Sequence, residues 1–476
     1  MAATEPQVRL DARLRSLLDS HPGVSGLEVL PPDFRWGLAT AAYQIEGAAQ
    51  LGGRGASIWD TFAHTPGRTR HGDTGDIACD HYHRWADDLD LLAELGVSDY
   101  RLSVSWSRLQ PRGTGDLNPE AVAFYRSVLD GLRRRGIRPL VTLYHWDLPQ
   151  ALEDEGGWPR RSTAEAFADF ARRTVLALGD LATEWITLNE PWCSAILGYE
   201  RGVHAPGRRD ERDALAAAHH LMLAHGLAVR AIHGARSDAR VGITNIVTDV
   251  VAASDSAADR AAAERLDASA NRLFLDPVYE GRYGDAVHAA YDEIGLRDLI
   301  HDGDLDVMAS PTDFAGVNHY QRVIAWHDED GGRLRIGERP AEPATTSFGW
   351  SVIPESLTVV LRRVGAITSV PLYVTENGAS FDDYPDPDGH IIDSERVDYL
   401  SGYLGAAAAA RREGIDLRGY YAWSFLDNYE WAEGYAKRFG LVYVDYPTQR
   451  RIPKLSAHWY RREIERHRQL SARAPG

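Results

Sequence analysis

Short apolar runs alternate along this chain with longer stretches whose apolar residues return every three or four positions. Eight runs carry the β-branched and aromatic residues of strands: 34–40, 100–105, 140–144, 185–188, 241–246, 314–317, 372–375 and 419–423. Between them, 83–96, 119–136 and 163–179 have the spacing of amphipathic helices. Gly96, Gly136 and Gly179 stand where such helices would end. Strands that alternate with helices tend to pair in parallel. Eight alternations point to an α/β fold of one kind, a single closed (β/α)8 TIM barrel. A doubly wound open sheet is the alternative, and the lack of a GxGxxG loop after the first run weighs against it.

No proline- or serine-rich linker divides the 476 residues, so 31–470 reads as one barrel domain. The polar stretches 328–346 and 381–393 fall between strand signals and read as long loop insertions at the C-terminal face. Residues 1–30 precede the first strand as an N-terminal extension. Val8, Leu10, Leu14, Leu17 and Leu18 would line one side of a short helix there. That helix would pack on the barrel; a contact in a homo-oligomer is the alternative.

A net charge of −17 argues against nucleic-acid and anionic-membrane partners, which would repel the chain. Two cysteines, Cys79 and Cys193, are too few for a disulfide framework and suit a reducing, cytoplasmic compartment. The first twenty residues lack the apolar core of a secretory signal. No run of eighteen apolar residues occurs, so no membrane span is expected.

Chemistry in such a barrel belongs at the C-terminal strand ends. The first run leads to Gln44 and Glu46, the second holds Arg101 and leads to Trp106, and the third leads to His145 and Trp146. The fourth ends at Asn189 and Glu190, the fifth contains Asn245, and the sixth leads to Asn318, His319 and Tyr320. The seventh ends at Glu376 and Asn377; the eighth ends at Trp423, with Asp427, Glu430 and Trp431 beyond it. Indoles offer flat apolar faces, and amides and carboxyls offer donors and acceptors, so the set suits a sugar. Glu190 in "TLNEPW" and Glu376 in "VTENGA" each follow a β-type run. A carboxylate at a buried strand end needs a partner or a task. Two carboxyls are what glycoside hydrolysis requires, about 5–5.5 Å apart for retention and roughly 6.5–9.5 Å for inversion. Strands four and seven face each other across the mouth, which is compatible with either.

Seven segments, "FRWGLATAAYQIEGAA", "DIACDHYHRW", "YRLSVSWSRL", "YHWDLPQAL", "TLNEPW", "VTENGA" and "WSFLDNYEWAEGYAKRFGLVYVD", resemble in order the motifs of glycoside hydrolase family 1, the retaining β-glucosidase family. The likeness runs from about 34 to 445. The resemblance implies Glu190 as general acid/base and Glu376 as nucleophile. It implies Gln44, His145, Asn189, Glu430 and Trp431 as holders of the sugar hydroxyls, with Trp423 as the platform under the ring. Arg101, Asn318 and Tyr320 would be second partners, Arg101 and Tyr320 beside the nucleophile. The family more often has Asn-Tyr-Tyr where this chain has "NHY", so His319 is a departure. Arg101 and a tyrosine hydroxyl would favour an ionised Glu376, and an anionic Glu376 would raise the pKa of Glu190. Once the sugar esterifies Glu376, Glu190 should become more acidic and suited to activate water.

Thioglucosidases lack the acid/base glutamate that this chain has as Glu190. The 6-phosphoglycosidases have a small residue and a basic pocket where this chain has Glu430-Trp431, and Glu430 would repel a 6-phosphate. Lys437 and Arg438 lie nearby and are expected to have carboxylate partners. No cofactor or metal is expected: His81 and His83, with Cys79 and Asp80, form no further ligand constellation. Asn245 is expected to be a structural amide, and Cys193 a packing residue. A catalytically dead binding protein would have lost a glutamate. A Schiff-base aldolase needs a strand-end lysine, and the two lysines, Lys437 and Lys454, lie past the eighth run. The expected partners are small β-glucosides or oligosaccharides. Glucose, galactose and fucose, and hydrolysis or transglycosylation, stay open.

Overall fold

The computed structural model describes residues 11–343 and 345–473. Its centre is a closed parallel barrel of eight strands: β1 (Arg35–Ala39), β2 (Asp99–Ser103), β3 (Arg138–Tyr144), β4 (Glu184–Asn189), β5 (Arg240–Ile246), β6 (Phe314–Asn318), β7 (Leu372–Asn377) and β8 (Leu417–Trp423). Neighbours in the barrel follow chain order, and β8 closes on β1 with Arg35 opposite Gly419 and Ala39 opposite Trp423. These are the eight expected runs, shifted at their ends by one or two residues. They are legible because every residue of β1, β2, β4, β6 and β7 is buried. Strands covered on both faces read as continuous apolar runs.

The three expected helices are His81–Glu94, Pro119–Arg134 and Arg161–Leu178. Gly96 and Gly136 take the left-handed conformation at their ends, with φ of 75° and 71°. Gly179 does not: its φ is −71°, and its N–H simply continues the ladder to the Val175 carbonyl at 2.8 Å. Among the described residues one helix, Glu211–Ala235, is long and apolar enough to cross a membrane by length and composition, although no such segment was expected. Most of it is buried, against Arg161–Leu178 among others, as a core helix of the barrel's outer layer.

The stretch 328–346 is not all loop. Ile336–Pro340 forms a strand antiparallel to Arg322–His327, which pairs in parallel with Asp249–Ala252. Its Gly, Glu and Pro content hides it from a propensity reading. The stretch 381–393 is irregular apart from a bridge between Phe381 and Arg438. The N-terminal extension contains the helix Ala12–Ser20, with Leu14 and Leu18 buried and Leu17 partly buried. It lies against the C-terminal helix Leu455–Arg473. Val8 and Leu10 lie outside the described residues.

Buried ion pairs brace the barrel at its floor and beyond its last strand. At the N-terminal end, Arg35 pairs with Asp99 at 2.6 Å and with Glu184, while Arg138 and Arg240 reach the same two acids at 2.8 and 3.0 Å. An apolar layer containing Leu140, Ile186, Phe314, Tyr373 and Tyr421 links this floor to Tyr320 and Trp423 at the mouth. Beyond β8, fully buried Lys454 pairs with Asp383 at 2.6 Å and Asp427 at 2.7 Å. Arg396 also pairs with Asp383 and Arg438 with Asp427, both at 2.7 Å. This cluster ties the insertion after β7 to the loop that carries Glu430. Removing one partner of a buried ion cluster costs about 3–5 kcal/mol. Lys454→Met therefore lowers the apparent Tm by several degrees; an unchanged melting curve would show that the cluster contributes nothing.

Candidate active site

Both glutamates sit where a strand ladder slips. The β4–β5 register shifts between Ile186 and Asn189, and the β7–β6 register between Val374 and Glu376. Such irregularities re-aim the side chains that follow them. Glu190 has φ 45°, a conformation that disfavours side chains, and its N–H donates to the Thr244 carbonyl on β5 at 2.9 Å. Trp146 and Trp431, with φ of 74° and 51°, share that strain. Outliers of this kind cluster where function fixes the backbone. After Asn377 the chain passes so close to β8 that a Cβ on Gly378 would lie 1.7 Å from the Trp423 carbonyl oxygen, which explains the glycine of "VTENGA".

The two carboxyls share one buried network. Arg101 pairs with Glu376 through Nη1 and donates from Nη2 to Asn189 Oδ1 at 2.6 Å. Tyr320 donates to Glu376 Oε2 at 2.7 Å. Asn318 Nδ2 donates to Glu190 Oε1 at 2.7 Å and to Asn189 Oδ1 at 3.1 Å. Thr375 fixes the other end of that amide by donating to Asn318 Oδ1 at 2.8 Å. Cys193 Sγ lies 3.1 Å from Glu190 Oε2, a contact the packing reading of Cys193 did not foresee.

Two donors onto Asn189 Oδ1 fix its amide, so its Nδ2 faces His145 Nε2 as donor at 3.1 Å. The His145 proton then sits on Nδ1, which is buried and has no protein partner. Burial, and then Arg101, hold the His145 pKa well below its usual value, so the ring is neutral. It lies between Trp423 and Trp431, with interplanar angles of 20° and 18°. Trp146 packs on Trp431 with ring centroids 4.6 Å apart and donates its indole N–H to the Asn189 carbonyl at 2.9 Å. Gln44 Nε2 donates to Asn428 Oδ1 at 3.0 Å and the Tyr429 carbonyl at 2.9 Å, with Glu430 Oε2 at 3.4 Å. Gln44 Oε1 is buried without a protein partner.

Burial is the largest cause of the titration behaviour. It pushes the Glu190 pKa up, and Glu376 adds to it, to about 8; Asn318, Cys193 and Arg101 pull the other way. Repulsion from Glu376, the cause expected from sequence, comes second. Glu430 is likewise pushed up to about 8, by burial first and then by Glu376 and Glu190. Burial and the neighbouring carboxylates keep the Tyr320 hydroxyl protonated as a donor.

The structure thus brings Glu190, Glu376, Arg101, Asn189, Asn318 and Tyr320 into one network, joins His145, Trp423 and Trp431 to it by stacking, and sets Gln44 beside Glu430. Other strand-end residues serve the scaffold. Glu46 pairs with Arg108 at 2.9 Å, and His319 bonds the Val247 carbonyl at 2.8 Å and Ser356 at 2.6 Å. His81 bonds Asp88 at 2.8 Å. Asn245 departs from its expected structural role: both polar atoms of its side chain are buried without a partner. Arg438 has the expected carboxylate partner, but Lys437 bonds the Ser347 carbonyl and lies over the Phe348 ring instead. Beside the mouth lies a cavity of about 380 Å³ whose wall includes Trp192, Thr248, Gln321 and Arg333.

Residues 27–469 match the model of glycosyl hydrolase family 1. Beta-glucosidase A of Thermotoga maritima is 45% identical over 90% of this chain and 96% of that protein. The bifunctional beta-D-glucosidase/beta-D-fucosidase of Bifidobacterium breve is 44% identical over 92% of this chain and 99% of its own. The structure of a Thermotoga maritima beta-glucosidase in complex with deoxynojirimycin superposes with a TM-score of 0.89 at 43% identity, covering 92% of this chain and 99% of that one. The match of the family model over nearly the whole chain, and relatives this similar along nearly their full length, show that the chain belongs to glycosyl hydrolase family 1.

Proposed function

We propose that this enzyme is a retaining β-glucosidase in which Glu376 is the nucleophile and Glu190 the acid/base. The observation that carries the reading is the asymmetry of the two carboxyls. Glu376 accepts from Arg101 and Tyr320, which orient its carboxylate and set a cation against it. Glu190 is held protonated into the neutral range by burial and by Glu376. In the first step a Glu376 oxygen bonds to the anomeric carbon, the glycosidic C–O bond breaks, and the Glu190 proton goes to the leaving oxygen. Esterified Glu376 has no charge, so one cause of the raised Glu190 pKa is gone. Glu190 then takes a proton from water, which attacks the anomeric carbon and releases Glu376.

The His145 Nδ1 proton, Gln44 Oε1 and the Glu430 carboxyl would meet sugar hydroxyls, with Trp423 beneath the ring. The cavity beside Trp192 would receive the leaving group. Glu430 excludes a 6-phosphate less by charge than its sequence suggests, because burial keeps much of it neutral at pH 7. What argues against a phosphate pocket is that Lys437 and Arg438 are engaged elsewhere. The two buried, unpaired cysteines support a cytoplasmic setting. The name of the Bifidobacterium relative makes fucosides a reasonable second substrate class.

Aryl β-D-glucoside, galactoside, fucoside and glucoside 6-phosphate separate these possibilities. The glucoside turns over, the phosphorylated sugar does not, and Glu376→Ala lowers kcat by about 10⁴-fold or more. A mutant that kept its rate would remove Glu376 from the mechanism. The pH profile is a second check. The acid must be protonated, so kcat/KM falls as pH rises through about 8, and Glu190→Gln abolishes that limb on a substrate whose leaving group needs no proton. Glu430 is raised to a similar value, so the limb is also followed in Glu430→Gln. A profile flat to pH 10, or a limb that survives Glu190→Gln and is lost in Glu430→Gln, contradicts the assignment.

A further inference from the structure

Each oxygen of the Glu190 carboxyl has its own donor: Asn318 Nδ2 at Oε1, 2.7 Å away, and Cys193 Sγ at Oε2, 3.1 Å away. Cys193 reaches the carboxyl because of how the chain turns after "TLNEPW". Its N–H donates to the Glu190 carbonyl at 2.9 Å, and the π-helix Cys193–Glu200 begins at that residue. The side chain three residues on is thereby folded back under the glutamate it follows. The thiol is buried, and burial and the neighbouring Glu190 push its pKa well above the usual value, so it stays an S–H donor.

The other groups that face Glu190 come from separate elements. Glu376 is on β7, Arg101 on β2, Tyr320 just beyond β6, and Glu430 in the loop after β8. Glu376 and Glu430 repel a negative charge on Glu190; Arg101 and Asn318 favour it. Among the groups that favour it, Cys193 is the one supplied by the acid's own turn.

We propose that Cys193 is a positioning residue for the acid/base: its thiol donates to Glu190 Oε2, fixes the rotation of the carboxyl and stabilises the carboxylate left after the proton has gone to the leaving oxygen. The thiol itself transfers no proton and forms no covalent bond. The inference rests on Glu190 being the acid/base. A donor to the carboxylate holds the basic limb of the pH profile down, so losing it moves the limb up.

The test compares kcat/KM profiles on an aryl β-D-glucoside for wild type, Cys193→Ala, Cys193→Val and Cys193→Ser, with Glu190→Ala alongside. Alanine and valine remove the donor at two different volumes, and serine restores one. The expected result is a basic limb displaced upward by about half a pH unit or more in the alanine and valine variants, and returned toward wild type by serine. A limb unmoved in the variants that fold, or moved equally by serine, overturns the proposal, because loss of packing alone would not distinguish a donor. The control separates this from failure of the acid/base reading. If Glu190→Ala loses the limb and azide restores its turnover of an activated substrate, Glu190 is the acid/base whatever Cys193 does. If Glu190→Ala keeps the wild-type limb and azide restores no turnover, both readings fall.

Discussion

Arg101 is the side chain on which the site depends. It is fully buried, and burying a guanidinium is costly unless its donors are met. Nη1 meets Glu376 on β7 and Nη2 meets Asn189 on β4, while Nε is buried without a protein partner. The same cation therefore compensates the carboxylate that would attack and orients the amide beside the carboxyl that would protonate. Through Asn189 it also sets the tautomer of His145, and so the polarity of the hydrogen bond offered to a sugar hydroxyl. The barrel makes this economy feasible, because strands that lie far apart in sequence all deliver their last residues to one small mouth.

Burial then does two opposite things in the same space. It favours protonated Glu190 and Glu430, since neither has a cation of its own within bonding distance. It also makes the pairing of Glu376 with Arg101 strong, because the surroundings screen it poorly. Of the two similar carboxyls, one holds the cation and the other is left to the effect of burial. The supporting layers serve this geometry: the ion cluster around Lys454 anchors the loop that carries Glu430, and the stacked rings around Trp431 anchor His145.

Much of this was legible in the sequence for identifiable reasons. Parallel strands buried on both faces leave apolar runs, so all eight could be read. The strand ends followed from the barrel, so the residues of the network could be named before any distance was known. What the chain did not disclose depended on three-dimensional proximity. Cys193 looked like a packing residue because nothing in a sequence announces a turn that brings its thiol back to the glutamate three residues earlier. The unpartnered side chain of Asn245 is a property of the folded site, which its place at a strand end does not disclose. The expected carboxylate for Lys437 was a carbonyl, and the strand Ile336–Pro340 was concealed by residues that usually mark loops. The relative weight of burial and of Glu376 in raising the Glu190 pKa needed the depth of the site, which spacing does not encode.

The central claim is that Glu376 becomes covalently bonded to the sugar. The most direct measurement is mass spectrometry of the enzyme after reaction with a 2-deoxy-2-fluoro-β-D-glucoside that bears a good leaving group, followed by peptide mapping. The expected result is a mass increase of one fluoroglucosyl group, located on Glu376 and absent from Glu376→Ala. A label on any other residue, or unlabelled enzyme that releases the sugar with inverted configuration, would contradict it.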